Sequence, residues 1–153
     1  MIFSPQGYVE PAMTLLYPVT ITRDGPDHVV NVRDLPEVVT SGSSEEEARE
    51  MAADAIEVVI SFAIEHELDI ALPSRPRKGE ILIGLPAQLA AKLAIYQAWK
   101  QAGIRKTELA RRMGRSEVEV RRILDPKHGT KLDQLDEAAR ALGGRLDVRF
   151  EAA

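Results

Sequence analysis

The chain of 153 residues contains no cysteine, which excludes disulfides and thiolate metal sites and suits a reducing compartment. Histidine is scarce as well. His28, His66 and His128 lie far apart without the spacing of metal ligands, so no metal and no cofactor is expected. Aromatic residues make up 5% of the chain. The lone tryptophan, Trp99, and Tyr96 fall on the apolar side of a helical pattern, as core rather than stacking platforms. No serine, histidine and aspartate set suggests nucleophilic catalysis, and no glycine loop suggests a nucleotide site, so catalytic residues are not expected. Apolar runs stop well short of the roughly 20 residues that cross a bilayer. The opening MIFSPQGYVEPAM lacks the basic-then-apolar order of a secretory signal. A soluble, cytoplasmic protein without a membrane partner is the expectation.

Net charge is also small, at −4, but it averages two opposite regions. Residues 1–83 hold six basic and fifteen acidic side chains, whereas residues 92–131 hold eleven basic and four acidic ones. Such asymmetry points to a polyanion as partner of one half only. The basic region contains IRKTELARRMGRSEVEVRRIL, residues 104–124. Leu109, Ala110 and Met113 share one helical face, and Gly114 supplies the positive φ that ends a helix. Ser116-x-x-Glu119 fits a capping box that starts the next helix, with Val120, Ile123 and Leu124 as its apolar stripe. Asp125-Pro126 stops it, because the residue before proline avoids helical geometry. Two short helices around a tight glycine turn, with small Ala110 near their crossing, make a helix-turn-helix. An ordinary αα-hairpin is the competing reading, and the local charge weighs against it.

The acidic half reads as a small α+β domain. Residues 1–14 carry two prolines and no periodicity and are taken as an irregular extension. Residues 15–23 alternate in β-strand fashion, Asp24-Gly25 marks a turn that Pro26 lengthens, and residues 28–32 return. Residues 38–40 form a short third strand after the Asp34–Glu37 loop. Glu45, Glu46 and Glu47 open a long helix over residues 45–67, where the macrodipole favours negative charge. Residues 80–85 are a fourth strand, giving β-β-β-α-β. From Pro86 the period becomes helical throughout, with Thr130-x-x-Asp133 capping the last helix and Gly143-Gly144 ending it. Leu146, Val148 and Phe150 then alternate with charged residues as a final strand, which is expected to pair with its copy in a second subunit.

These segments carry two resemblances. ELARRMGRS at residues 108–116 and DEAARALG at 136–143 resemble the Xre-type, lambda-repressor-like helix-turn-helix. YPVTITRDG at 17–25, DLPE-V-x-T-x-G at 34–42, the acidic-capped helix and PSRP at 73–76 resemble the HicB antitoxin family. In this order they match its helix-turn-helix branch, over residues 15–150. The resemblance implies a degenerate ribonuclease-H-like domain at 15–85 that binds and masks a HicA-type mRNA-cleaving toxin. It further implies a helix-turn-helix DNA-binding and dimerisation domain at 86–153 that represses the shared operon as a homodimer or tetramer. The chain departs from the usual pattern at Arg105, where a capping Thr or Ser is customary.

In that architecture the second helix presents Glu117, Val118, Arg121 and Arg122 to base edges. Arginine matches guanine O6 and N7, valine can touch a thymine methyl, and Glu117 can accept from cytosine N4 or simply face the helix dipole. Lys106, Thr107, Arg115, Ser116, Lys127 and Lys131 flank the helices as phosphate-side contacts. Tyr17, Asp34, Leu35, Pro36 and Glu37, with the fourth strand, are candidates for the toxin interface, the acidity of the front half suiting a basic RNA-cleaving partner. Two rival functions remain at this level. One is a one-component regulator with a ligand-sensing front domain. The other is a metal-dependent nuclease using Asp24, Asp27, Asp34 and Asp69, three of which stand in turns where aspartate is common anyway.

Overall fold

The computed structural model describes residues 14–152, and residues 1–13 of the irregular extension lie outside the described residues. The described chain forms two compact units, Thr14–Ala90 and residues 91–152, with the division inside a helix. The elements are β1 (Leu16–Asp24), β2 (Asp27–Val32), β3 (Thr40–Gly42), α1 (Glu45–Glu65) and β4 (Ile81–Gly84), then α2 (Ala87–Ala102), α3 (Lys106–Met113), α4 (Glu117–Leu124) and α5 (Leu132–Ala141). An antiparallel sheet followed by helices is the mixed α+β layout expected from the sequence.

The sheet order is β3-β2-β1-β4. β1 and β2 pair from Val19↔Val32 to Asp24↔Asp27, so the turn between them holds only Gly25 and Pro26. This corrects the expectation that Pro26 lengthens the loop. Gly25 takes φ 60° and proline fixes its own φ near −65°, which are the signs of a two-residue hairpin turn matched to strand twist. The third strand is displaced by two residues from its expected place at 38–40. Val38 instead closes a turn, its N–H donating to the Leu35 carbonyl, and its side chain goes to the core.

Helix α1 lies on this sheet. Ser44 caps it by accepting from the Glu47 N–H, and Glu45–Glu47 fill its first turn as the dipole favours. Ala48, Ala52, Ile56, Ile60, Ala63 and Ile64 make its buried stripe, facing Tyr17, Val19, Val30 and Val32 in the core. The contact is close because Gly42 has no side chain: a Cβ there would stand 2.4 Å from the Ala48 backbone nitrogen.

In the second unit α3 packs on α4 and α5, with Leu109, Ala110, Val120, Ile123, Leu135 and Ala138 buried. Gly114 ends α3 at φ 65°, and the Arg115 N–H returns to the Ala110 carbonyl. One expectation fails here. Thr130 does not cap α5; Lys131 holds that position without a side-chain bond, and Thr130 is buried. Residues 145–152 find no strand partner among the described residues of the single chain, and Val148 and Phe150 are 75% and 93% exposed. Alternation selects a strand only where a neighbouring edge supplies its hydrogen bonds. No helix of the described residues is long and apolar enough to cross a membrane.

Candidate nucleic-acid interface

Helix α4 is set by its own first residues. The Ser116 hydroxyl accepts from the Glu119 N–H at 3.3 Å, while Glu119 accepts from the Ser116 N–H at 2.8 Å. Both halves of the capping box are therefore present, and Glu119 is held below its ordinary carboxylate range chiefly by that backbone bond. Because Val120, Ile123 and Leu124 go inward, Glu117, Val118, Arg121 and Arg122 stand on the outer side of the helix. Val118 is 57% exposed. Glu117 accepts from Arg121 at 2.7 Å across one turn, so these two candidates hold each other. The Arg122 guanidinium has no ion pair among the described residues.

The flanking candidates divide. Arg115 grips both oxygens of Glu137 at 2.7 and 3.0 Å and reaches Glu119 at 3.0 Å. It ties the turn to α4 and α5, and those carboxylates hold its pKa above the usual arginine range. Its geometry is that of a brace for the motif. Thr107, Lys127 and Lys131 are exposed, and Lys127 follows an Asx turn in which its N–H meets Asp125 Oδ1 at 2.9 Å. Lys106 sits 5.6 Å from the centroid of the buried Trp99 ring. Arg105 precedes α3 without a capping bond, as its side chain predicts. Between α4 and α5 lies a half-open hollow of about 220 Å³, lined by Glu119, Arg122, His128, Gly129, Lys131 and Gln134.

Sequence reasoning missed Lys92. Its side chain is wholly buried, and its Nζ donates to the carbonyls of Arg122 (2.9 Å), Ile123 (3.0 Å) and Asp125 (2.7 Å) and to Thr130 Oγ1 (2.9 Å). Burial lowers its pKa to about 8, against the opposing pull of Asp125. The signal was available. Lys92 shares a helical face with Leu89, Tyr96 and Trp99, a place where lysine is found only when its charge is met.

In the front unit the proposed toxin-facing set also divides. Tyr17 and Leu35 are core residues, 0% and 3% exposed, which corrects their assignment to an outer surface. The Tyr17 hydroxyl donates to the Ala71 carbonyl at 2.9 Å, and burial, aided by Asp34, raises its pKa to about 12. Asp34 accepts from the Ser74 N–H and hydroxyl, both at 2.8 Å, fastening the PSRP segment. Pro36 and Glu37 are exposed. No three metal-binding side chains converge among the described residues.

Comparison with known proteins decides the identity. The family model described as a HicB_like antitoxin of bacterial toxin-antitoxin system matches residues 16–94. The chain is 36% identical over 132 residues to "Antitoxin HicB 2" of Photorhabdus laumondii subsp. laumondii, covering 86% of this chain and 94% of that one. It is 37% identical over 134 residues to "Antitoxin HicB" of Escherichia coli K12, covering 86% and 96%. "Antitoxin HicB" of Pseudomonas fluorescens is 31% identical over 121 residues, covering 78% and 83%. The chain belongs to the HicB-like antitoxin family. HicB-like antitoxins are regulatory proteins without catalysis, and their place in a toxin-antitoxin pair gives this chain a toxin as partner.

Proposed function

We propose that this antitoxin neutralises a HicA-type, mRNA-cleaving toxin through its acidic front unit and represses its own operon through its second unit. Duplex DNA is the second partner. Helix α4 enters the major groove, Arg121 and Arg122 read guanine edges, Val118 meets a thymine methyl, and Lys106, Thr107, Lys127 and Lys131 contact the phosphates. The observation that carries this reading is the outer face of α4, a capped helix with two arginines and an exposed valine within a region of eleven basic residues against four acidic ones. Two copies bind together, joined through Leu146, Val148 and Phe150 as paired strands, and their half-sites lie one helical turn apart on the operator. The protein works in the cytoplasm, where operator and messenger RNA both are.

The test has two arms. Expressing the neighbouring toxin gene alone arrests growth, and expressing it with this chain restores growth. In the second arm, Arg122→Ala weakens operator binding by about 1–3 kcal/mol and relaxes one base position, whereas Lys131→Ala weakens all sequences alike. Equal losses on operator and random DNA for Arg122→Ala contradict its role in base reading. A toxin that remains lethal beside this protein contradicts the neutralising role.

A further inference from the structure

Helix α4 ends differently from α3 and α5. Those two helices are followed by Gly114 and Gly143 at φ 65° and 85°, so their last carbonyls are met by the backbone turning back. After α4 comes Asp125, which is extended at φ −82° and ψ 115° because Pro126 follows it. That backbone returns one N–H, from Asp125 to the Arg122 carbonyl, and makes no left-handed glycine turn over the helix end. The Arg122 carbonyl accepts from the Asp125 N–H and the Asp125 carbonyl from the His128 N–H, each at 3.2 Å, while the Ile123 carbonyl is left to a donor from elsewhere, and all three lie at the negative end of the helix dipole. Lys92, from α2, supplies three N–H donors at that point and also meets the Thr130 hydroxyl. Thr130 in turn lies within 3.4 Å of the Arg122 and His128 carbonyls, so one ammonium fastens both the end of α4 and the loop leading to α5.

We infer that Lys92 is a positioning residue for DNA recognition: its buried ammonium stands in for the missing glycine cap of α4 and fixes where Arg122 stands. It touches no DNA itself. The inference rests on the DNA-binding reading above and adds to it the residue that sets the register of the reading helix. A phosphate-contacting lysine would affect all sequences alike. A buried lysine that holds an arginine in place affects operator binding while leaving the exposed cations free to grip any duplex.

The experiment compares the full-length chain with Lys92→Met, Lys92→Arg and Thr130→Val, on operator DNA and on random duplex of the same length. Lys92→Met is expected to lose about tenfold or more on the operator and no more than about twofold on random DNA. Lys92→Arg keeps a buried cation with several donors and restores much of the operator affinity. Thr130→Val removes one acceptor without removing the charge, and loses a few-fold on the operator only. Amide exchange at residues 123–131 quickens in Lys92→Met and Thr130→Val while α3 stays protected. If Lys92→Met does not fold, the Thr130→Val arm decides. Unchanged operator affinity and unchanged exchange in Thr130→Val, or equal losses on both duplexes in Lys92→Met, overturn the inference while leaving DNA binding in place. Absence of operator binding by the unaltered chain overturns the DNA reading and this inference together.

Discussion

Arg33 reaches 47 positions along the chain to hold both oxygens of Glu80 at 3.0 Å, and it also donates to the Arg75 carbonyl at 3.1 Å. With Asp34 on Ser74, this pins the segment before β4 to the end of β2. The Arg33 bond lowers the Glu80 pKa from its ordinary 4.5 to about 2. A carboxylate lowered in the folded state adds stability that is complete above its ordinary pKa and is lost as pH falls toward the folded value. The front unit should therefore weaken between about pH 4.5 and 2, read as a falling urea midpoint at β1 and β2 amide resonances. In Glu80→Gln that acid-dependent loss shrinks, and an unchanged pH profile would show that the pair does not support the fold. Gly42 makes a second residue-scale claim. Its missing Cβ lets β3 meet the first turn of α1, so Gly42→Ala should destabilise the front unit by about 1–3 kcal/mol, as overpacking does. Equal urea midpoints for the two proteins would contradict the close approach. Neither feature was legible in the sequence, since DLPE and TSG name residues but not what packs on them.

At the scale of elements, starts were easier to read than ends. The start of α4 lies wholly in local chemistry, because Ser116 and Glu119 need only each other. Ser116→Ala should cost the second unit about 0.5–2 kcal/mol, seen as an earlier thermal transition, and an unshifted transition would rule out a working cap. The same locality explains why β1, β2, α1 and β4 fall within a residue or two of their expected bounds. The end of α4 depends on α2, thirty positions away, so local spacing does not reveal the role of Lys92 and points Thr130 to a cap it does not make. β3 lies later than its residues suggest because Val38 has strand chemistry but serves a turn, while Thr40 and Gly42 pair through their backbones. The candidate site shows the same division. Val118, Arg121 and Arg122 could be placed on an outer helical face by spacing alone, whereas the capture of Arg115 by Glu137, 22 positions on, could not.

At the scale of the whole chain, opposite charges are sorted along the sequence: fifteen carboxylates against six cations over residues 1–83, and eleven cations against four carboxylates over residues 92–131. This sorting was legible from composition, and it agrees with membership in a family of antitoxins, whose partner is a toxin. Several of the basic residues are occupied within the fold. Arg111 and Arg112 hold Glu108, whose pKa falls to about 2 through the Arg111 bond first, and Arg115 holds Glu137. In the proposed DNA complex the free charges are fewer than the count suggests, so the electrostatic grip should be moderate, with roughly three to five phosphates neutralised per chain. The most direct test is the affinity of the full-length protein for DNA upstream of its own gene, measured against salt concentration. The account predicts tight, sequence-preferring binding whose logarithm falls linearly with the logarithm of salt, with a slope that Lys131→Ala reduces by about one. Binding that is absent, indifferent to salt, or equal on unrelated duplex would contradict it.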